Sequence, residues 1–135
     1  MDFKLRSDYK CEFLCTHPAD WEARLKSPPY LLTIKREGKL AIFNYDLTAE
    51  EKDLSEGTTY HCDFRLPEVQ EARGIILDTE YNQVVCWPFR KFANFGESYA
   101  DEIDWSTARV EEKLDGSIVK LWYDYEREKI GRAHV

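Results

Sequence analysis

An α+β fold rich in antiparallel sheet is what this chain predicts, and three observations carry that reading. β-prone runs recur in pairs around glycine-containing or polar turns; helical signals are few; and no repeat, low-complexity stretch or linker interrupts the pattern. At 135 residues, with 43% apolar and 14% aromatic residues, the chain has material for one cored domain and not two.

From the N-terminus, residues 1–16 alternate loosely (Phe3, Leu5, then Phe13, Leu14) and fit a strand or irregular chain equally. A helix is expected from His17. Pro18 suits a first helical position, Asp20 and Glu22 suit the first turn, and Trp21 and Leu25 share a face. Ser27-Pro28-Pro29 ends it. Tyr30–Lys35 and Lys39–Tyr45 then flank Arg36-Glu37-Gly38 as a hairpin. Residues 46–61 are polar; Glu50, Glu51, Asp53 and Glu56 read as the solvated face of a loop or short helix rather than a metal site. Arg73–Asp78 and Gln83–Trp87 form a second hairpin, closed by Pro88. Phe89-Arg90-Lys91-Phe92-Ala93-Asn94-Phe95 is an aromatic and basic loop, and residues 98–105 suit a short helix.

A third hairpin is expected at 108–125. Arg109, Glu111 and Lys113 alternate with Ala108, Val110, Glu112 and Leu114, and Asp115-Gly116 supplies the turn. Val119, Leu121, Tyr123 and Tyr125 line one face of the return strand. Ile130–Val135 reads as the translation of a sequencing-library adapter, so the domain is expected to span 1–129 with 130–135 as a non-native tail.

Charge and cysteines narrow the function. A net charge of −7 without a basic stripe disfavours a broad nucleic-acid surface within these residues, but a nucleotide pocket needs only a few placed cations. Cys11-x3-Cys15-x-His17 with His61-Cys62 matches no common zinc spacing, so reduced thiols are expected and no protein metal ligand is named. No run approaches the roughly 18 apolar residues of a membrane span, and Met1–Arg6 lacks a signal-peptide core. A cytoplasmic protein with no membrane partner is the expectation.

Val110–Val119 holds the chemistry: a lysine, a tight Asp-Gly turn and a hydroxyl within five residues. A lysine amine attacks phosphorus only when neutral, so such a site must disfavour the ammonium through burial or neighbouring cations. Arg73, Lys91 and Arg109 are the candidate cations. Gly116 lets a nucleotide approach the backbone, and Ser117 offers a hydroxyl to a phosphate or ribose oxygen. Alone, Lys113-Leu114-Asp115-Gly116 also fits a surface lysine before a turn.

The combination goes further. Arg73-Gly74-Ile75-Ile76-Leu77-Asp78, then Trp87-Pro88-Phe89-Arg90-Lys91-Phe92-Ala93-Asn94-Phe95-Gly96-Glu97, then Glu112-Lys113-Leu114-Asp115-Gly116-Ser117 occur in order. Over about residues 70–125 this resembles the N-terminal nucleotidyltransferase (adenylation) domain of the ATP-dependent RNA ligases of the bacteriophage T4 RNA ligase 1-like family. The resemblance implies that Lys113 takes AMP from ATP as a phosphoramidate and passes it to an RNA 5′-phosphate, which a 3′-hydroxyl then seals. It gives Arg73 and Lys91 the nucleotide or its phosphates, Asp115 and Gly116 the lysine turn, and the backbone at Glu112 the adenine, with Mg2+ as cofactor. Trp87 stands where the family loop often has Arg. Ile118, where DNA ligases and capping enzymes usually carry Arg, favours the RNA ligase type over those alternatives; a non-catalytic nucleotide-binding or interaction module is the other. The family's later motifs follow the lysine motif and are not in these residues, which implies an inactive, poorly soluble fragment.

Overall fold

The computed structural model describes residues 20–125 and 127–134, and the expectations for 1–16, for a helix start at His17 with Pro18 in first position, and for Cys11, Cys15 and His17 lie outside them. Helix α1 (Trp21–Lys26) forms as expected and buries Leu25 completely. Glu22 accepts a hydrogen bond from Lys26 Nζ at 2.8 Å and from Arg36 Nε at 2.9 Å, tying the helix to the first strand.

Strands β1 (Thr33–Glu37) and β2 (Leu40–Asn44) pair around Gly38-Lys39, with Gly38 at φ +58 supplying the left-handed conformation such a tight turn needs. A two-stranded hairpin, β3 (Glu50–Asp53) and β4 (Thr58–His61), follows. This corrects the loop or short helix expected at 46–61. Glu50, Glu51 and Asp53 sit in a largely exposed strand because β-prone Thr58-Thr59-Tyr60 pairs with them, and Glu56 falls in the turn, which Asp53 Oδ1 closes by accepting the Ser55 N–H at 2.8 Å and its hydroxyl at 2.6 Å.

A short helix unforeseen in the sequence, α2 (Pro67–Glu71), buries Val69 and leads into β5 (Arg73–Asp78). β5 pairs with β2 on one side and β6 (Gln83–Cys86) on the other, giving an antiparallel sheet in the order β1-β2-β5-β6. Cross-strand register puts Ile34, Phe43 and Ile75 in one row and Ala41 and Leu77 in the next, on the face that packs against Leu25, Leu32 and Val69. Burying side chains of this size stabilises by about 1.5–3 kcal/mol each. Asp78 ends β5 as a buried carboxylate, paired with Lys39 at 3.1 Å and accepting the Glu80 N–H at 2.9 Å.

Gly74 interrupts the β2–β5 register. Asn44 faces Arg73 and Phe43 faces Ile75, so Gly74, at φ +83, is the extra residue of a bulge. The sheet therefore bends where Arg73 leaves it.

The last pair is β7 (Val119–Asp124) with β8 (Lys129–His134). Val119, Leu121 and Tyr123 do share a face of β7, and it is the exposed one, while Tyr125 falls in the turn just past its end; Lys120 turns the other way and is buried. Residues 130–134, read from sequence as a non-native tail, form most of β8, and the Trp122 indole lies across Gly131, where any side chain would collide. Among the described residues no helix is long and apolar enough to cross a membrane. The chain is α+β with mostly antiparallel sheet.

Candidate functional site

Two of the expected site residues meet at the bulged end of β5. The Lys91 backbone N–H donates to Gln70 O at 2.7 Å, docking the loop after β6 onto the end of α2. Lys91 Nζ then lies 5.0 Å from the Phe64 ring centre and 5.5 Å from that of Tyr99, and donates to the Phe92 carbonyl at 3.4 Å. Arg73 sits over the Phe92 ring at 5.4 Å. Phe92 thus joins the two cations, one through its backbone and one through its ring. Behind them Tyr45 packs edge-on against Phe64 at 5.2 Å, and Phe64 stacks with Tyr99 at 6.4 Å.

The loop that carries Lys91 is irregular but locally well bonded. Glu97 accepts the Asn94 backbone N–H at 2.6 Å and its side-chain amide at 3.1 Å. Those bonds, with Tyr99 and the nearby Lys91 charge, hold the Glu97 carboxyl below its usual range. Arg90 pairs with Asp101 at 3.0 Å. Phe89, Phe92 and Phe95 are exposed, as expected of this loop, while Trp87 is half-buried against the core. Its place in this chain is structural.

The expected helix at 98–105 does not form. Local side chains satisfy the backbone instead: Asp104 accepts the Ser106 N–H at 2.9 Å and its hydroxyl at 2.5 Å.

The third hairpin does not form either. Residues 108–118 are irregular and exposed, and β7 takes β8 as its partner rather than 109–114. Val110 and Leu114, the apolar side chains flanking Lys113 in that run, bury nothing, so the segment has little to repay the entropy of ordering. Lys113, Glu112 and Ser117 are exposed, and none is seen in a hydrogen bond or ion pair among the described residues. Asp115 accepts the Gly116 N–H at 3.0 Å and Gly116 takes φ +142, so the chain bends there without closing a hydrogen-bonded turn. The lysine motif is presented to solvent and is not gathered beside Arg73 and Lys91.

Lys120 is the residue the sequence reading missed. Only 8% exposed, it donates to the Gly74 carbonyl, and Asn44 Oδ1 lies 3.5 Å from where a Gly74 side chain would begin. Burial holds its ammonium below the ordinary lysine range, with the Cys86 thiol opposing that effect, and burial pushes that thiol up. A signal was present: alternation puts Lys120 opposite in sense to Val119, Leu121 and Tyr123.

The described residues bring no three His, Cys, Asp or Glu side chains together as a metal site. No protein-family model, curated protein or solved structure matches this chain.

Proposed function

We propose that this chain carries the nucleotide-binding front of an ATP-dependent RNA ligase adenylation domain, with Lys113 as the AMP acceptor. The observation that supports it is the convergence of Arg73 and Lys91 at the β5 bulge, from sequence positions 18 residues apart, beside a cluster of three rings. Two cations held on aromatic faces suit a nucleotide's phosphates, and the rings offer a stacking surface to a base.

In this reading the neutral Lys113 amine attacks the α-phosphorus of ATP. The N–P bond forms, the bond to the β-phosphate oxygen breaks, pyrophosphate leaves, and the amine gives up a proton. AMP then passes to the 5′-phosphate of RNA, whose main contact surface lies outside these residues. Asp115 and Gly116 keep the lysine turn open to the nucleotide. The resemblance implies Mg2+, for which the described residues offer no carboxylate cluster, so no step is assigned to it.

The test is to incubate the chain with ATP and search by mass spectrometry for a lysine-linked AMP. The expected adduct sits at Lys113 in a longer chain that also carries the family's downstream groups, and it vanishes there in Lys113→Ala; residues 1–135 alone, without those groups, are expected neither to turn over ATP nor to seal nicked RNA. ATP-dependent AMP at any other lysine sinks the proposal.

One observation favours a second reading. Lys113 stands exposed and unengaged while Arg73 and Lys91 are placed. A nucleotide-binding module without catalysis has that arrangement, and it predicts ATP binding that Lys113→Ala leaves unchanged, with no adduct.

A further inference from the structure

Every residue from Asp101 to Val119 is exposed, and Lys120 is the first buried one after them. Lys113 stands within that run. From Thr107 to Ile118 the hydrogen bonds seen among the described residues stay within a few positions, as at Asp115 and Gly116. The place of Lys113 is therefore set by the two ends of the run.

The run leaves the packed part of the molecule beside Lys91, where Tyr99 stacks with Phe64 at 6.4 Å and its ring centre lies 5.5 Å from Lys91 Nζ. It returns beside Arg73, because Lys120 donates to the carbonyl of Gly74, the next residue along β5. Phe64 packs with the core on one sheet face, whereas Lys120 comes in on the other, near the Cys86 thiol. The run passes from one face to the other, and its far end is fixed one residue from Arg73.

The bulge makes that anchor. A bulge leaves its extra residue out of the ladder, and here the Gly74 carbonyl takes the Lys120 amine as a donor. A Cβ at position 74 would lie 2.5 Å from Lys120 Nζ and 3.4 Å from its Cε, so the missing side chain is what admits the lysine. Val119 and Leu121 on either side are exposed, which leaves Lys120 to hold the start of β7. Lys113 comes seven positions before Lys120, a reach of at most about 25 Å when fully extended.

We infer that Lys120 is a positioning residue for Lys113: by gripping the Gly74 bulge it ties the downstream end of the lysine run next to Arg73, so that the Lys113 amine is delivered to a phosphate held there. The inference rests on the nucleotide reading above and extends it to a side chain outside the lysine motif. Lys120 touches no nucleotide and lends it no charge. Holding the run near its target shortens the search the amine must make, which raises the rate of attack and not the affinity for ATP.

The experiment measures AMP attachment to Lys113 in a longer chain that also carries the family's downstream groups, with Lys120→Ala, Gly74→Ala and the two combined. Lys120→Ala is expected to slow attachment at saturating ATP by at least ~10-fold while KM for ATP stays within about 2-fold of the parent. Gly74→Ala expels the amine and has the same effect. The combined variant separates positioning from stability, since the new methyl group takes space the lysine leaves: melting recovers toward the parent while attachment stays slow. It also keeps the test decisive where a single change does not fold. Attachment that recovers along with melting, or a folded Lys120→Ala that reacts at the parent's rate, overturns the role of Lys120 and leaves the ligase reading standing. A parent that takes no AMP at Lys113 removes both.

Discussion

Residues 30–87 and residues 88–118 have similar appetites for aromatic and apolar side chains and quite different fates. In the first, Ile34, Ala41, Phe43, Ile75 and Leu77 fall on one sheet face and disappear from solvent. In the second, Phe89, Phe95, Trp105, Val110 and Leu114 remain exposed, and order comes from short-range bonds such as Asn94–Glu97 and Ser106–Asp104. The difference is register. Side chains at period two, paired across strands, add their burial; the same side chains on irregular backbone cannot. The candidate site lies on the seam, with Arg73 from the packed half and Lys91 from the irregular half.

The sharpest way to break the comparison is to truncate one large side chain in each region. Phe43→Ala removes a ring that is fully buried and packs against Trp21 at 5.6 Å, and it is expected to cost about 3–5 kcal/mol in denaturant unfolding. Leu114→Ala removes a side chain that is 79% exposed and is expected to stay within about 0.5 kcal/mol of the parent. Equal losses would mean that 88–118 packs in a way this structure does not show.

The same contrast explains what could be read in advance. The β1–β2 and β5–β6 hairpins were legible because alternation and turn residues agree there, as at Gly38. Helix α2 was not, since five residues are too few to show a helical period. β3 was hidden by Glu50, Glu51 and Asp53, whose charge reads as loop although the strand is merely exposed. At 108–118 the Asp-Gly signal marks only a bend at Gly116, and the hairpin expected there does not form, because the partner of a strand is set by competition across the whole sheet. The site divided likewise. Arg73 and Lys91 could be named from local motifs, but Tyr45, Phe64, Tyr99 and Lys120 join them through contacts 19 or more residues away in sequence, except for Tyr99 with Lys91.

A smaller effect probes the seam. Gly74→Ala places a methyl group against Lys120 Nζ at φ +83, and a cost of about 1–3 kcal/mol is expected in unfolding. Gly116→Ala has a positive φ but open space around it, and should cost less. Combining Gly74→Ala with a shorter side chain at 120 should recover part of the loss; full additivity would show that Gly74 and Lys120 do not touch.

Lys120 also gives the seam a pH signature. Its folded pKa lies below the ordinary lysine value, so the unfolded chain holds the proton more tightly. Stability therefore rises as pH climbs from that lowered pKa toward the unfolded one, by up to about 1.4 kcal/mol per pH unit for one proton. Cys62 and Cys86 work in the opposite direction, since burial raises both thiols and their contribution fades as pH passes the ordinary thiol range. Subtracting the profile of Lys120→Met isolates the lysine. A difference curve flat with pH would show that the amine is as well solvated folded as unfolded.

The smallest effect belongs to the packed half, at its surface. Glu22 is drawn below the usual glutamate range chiefly by the hydrogen bond from Lys26, and then by Arg36. A lowered carboxylate pKa contributes stability above the unfolded value that is lost as pH falls through the folded one. Both bonds are solvent-screened, so Glu22→Gln is expected to cost no more than about 0.5 kcal/mol at neutral pH. The same variant should be indistinguishable from the parent once acid has protonated Glu22. Because Arg36 reaches Glu22 from β1 while Lys26 reaches it from within α1, a double-mutant cycle with Arg36→Ala reports how much of that small sum fastens helix to sheet. A coupling near zero would leave the burial of Leu25 and Trp21 as what fixes α1, and would place the whole stability of this half in its core.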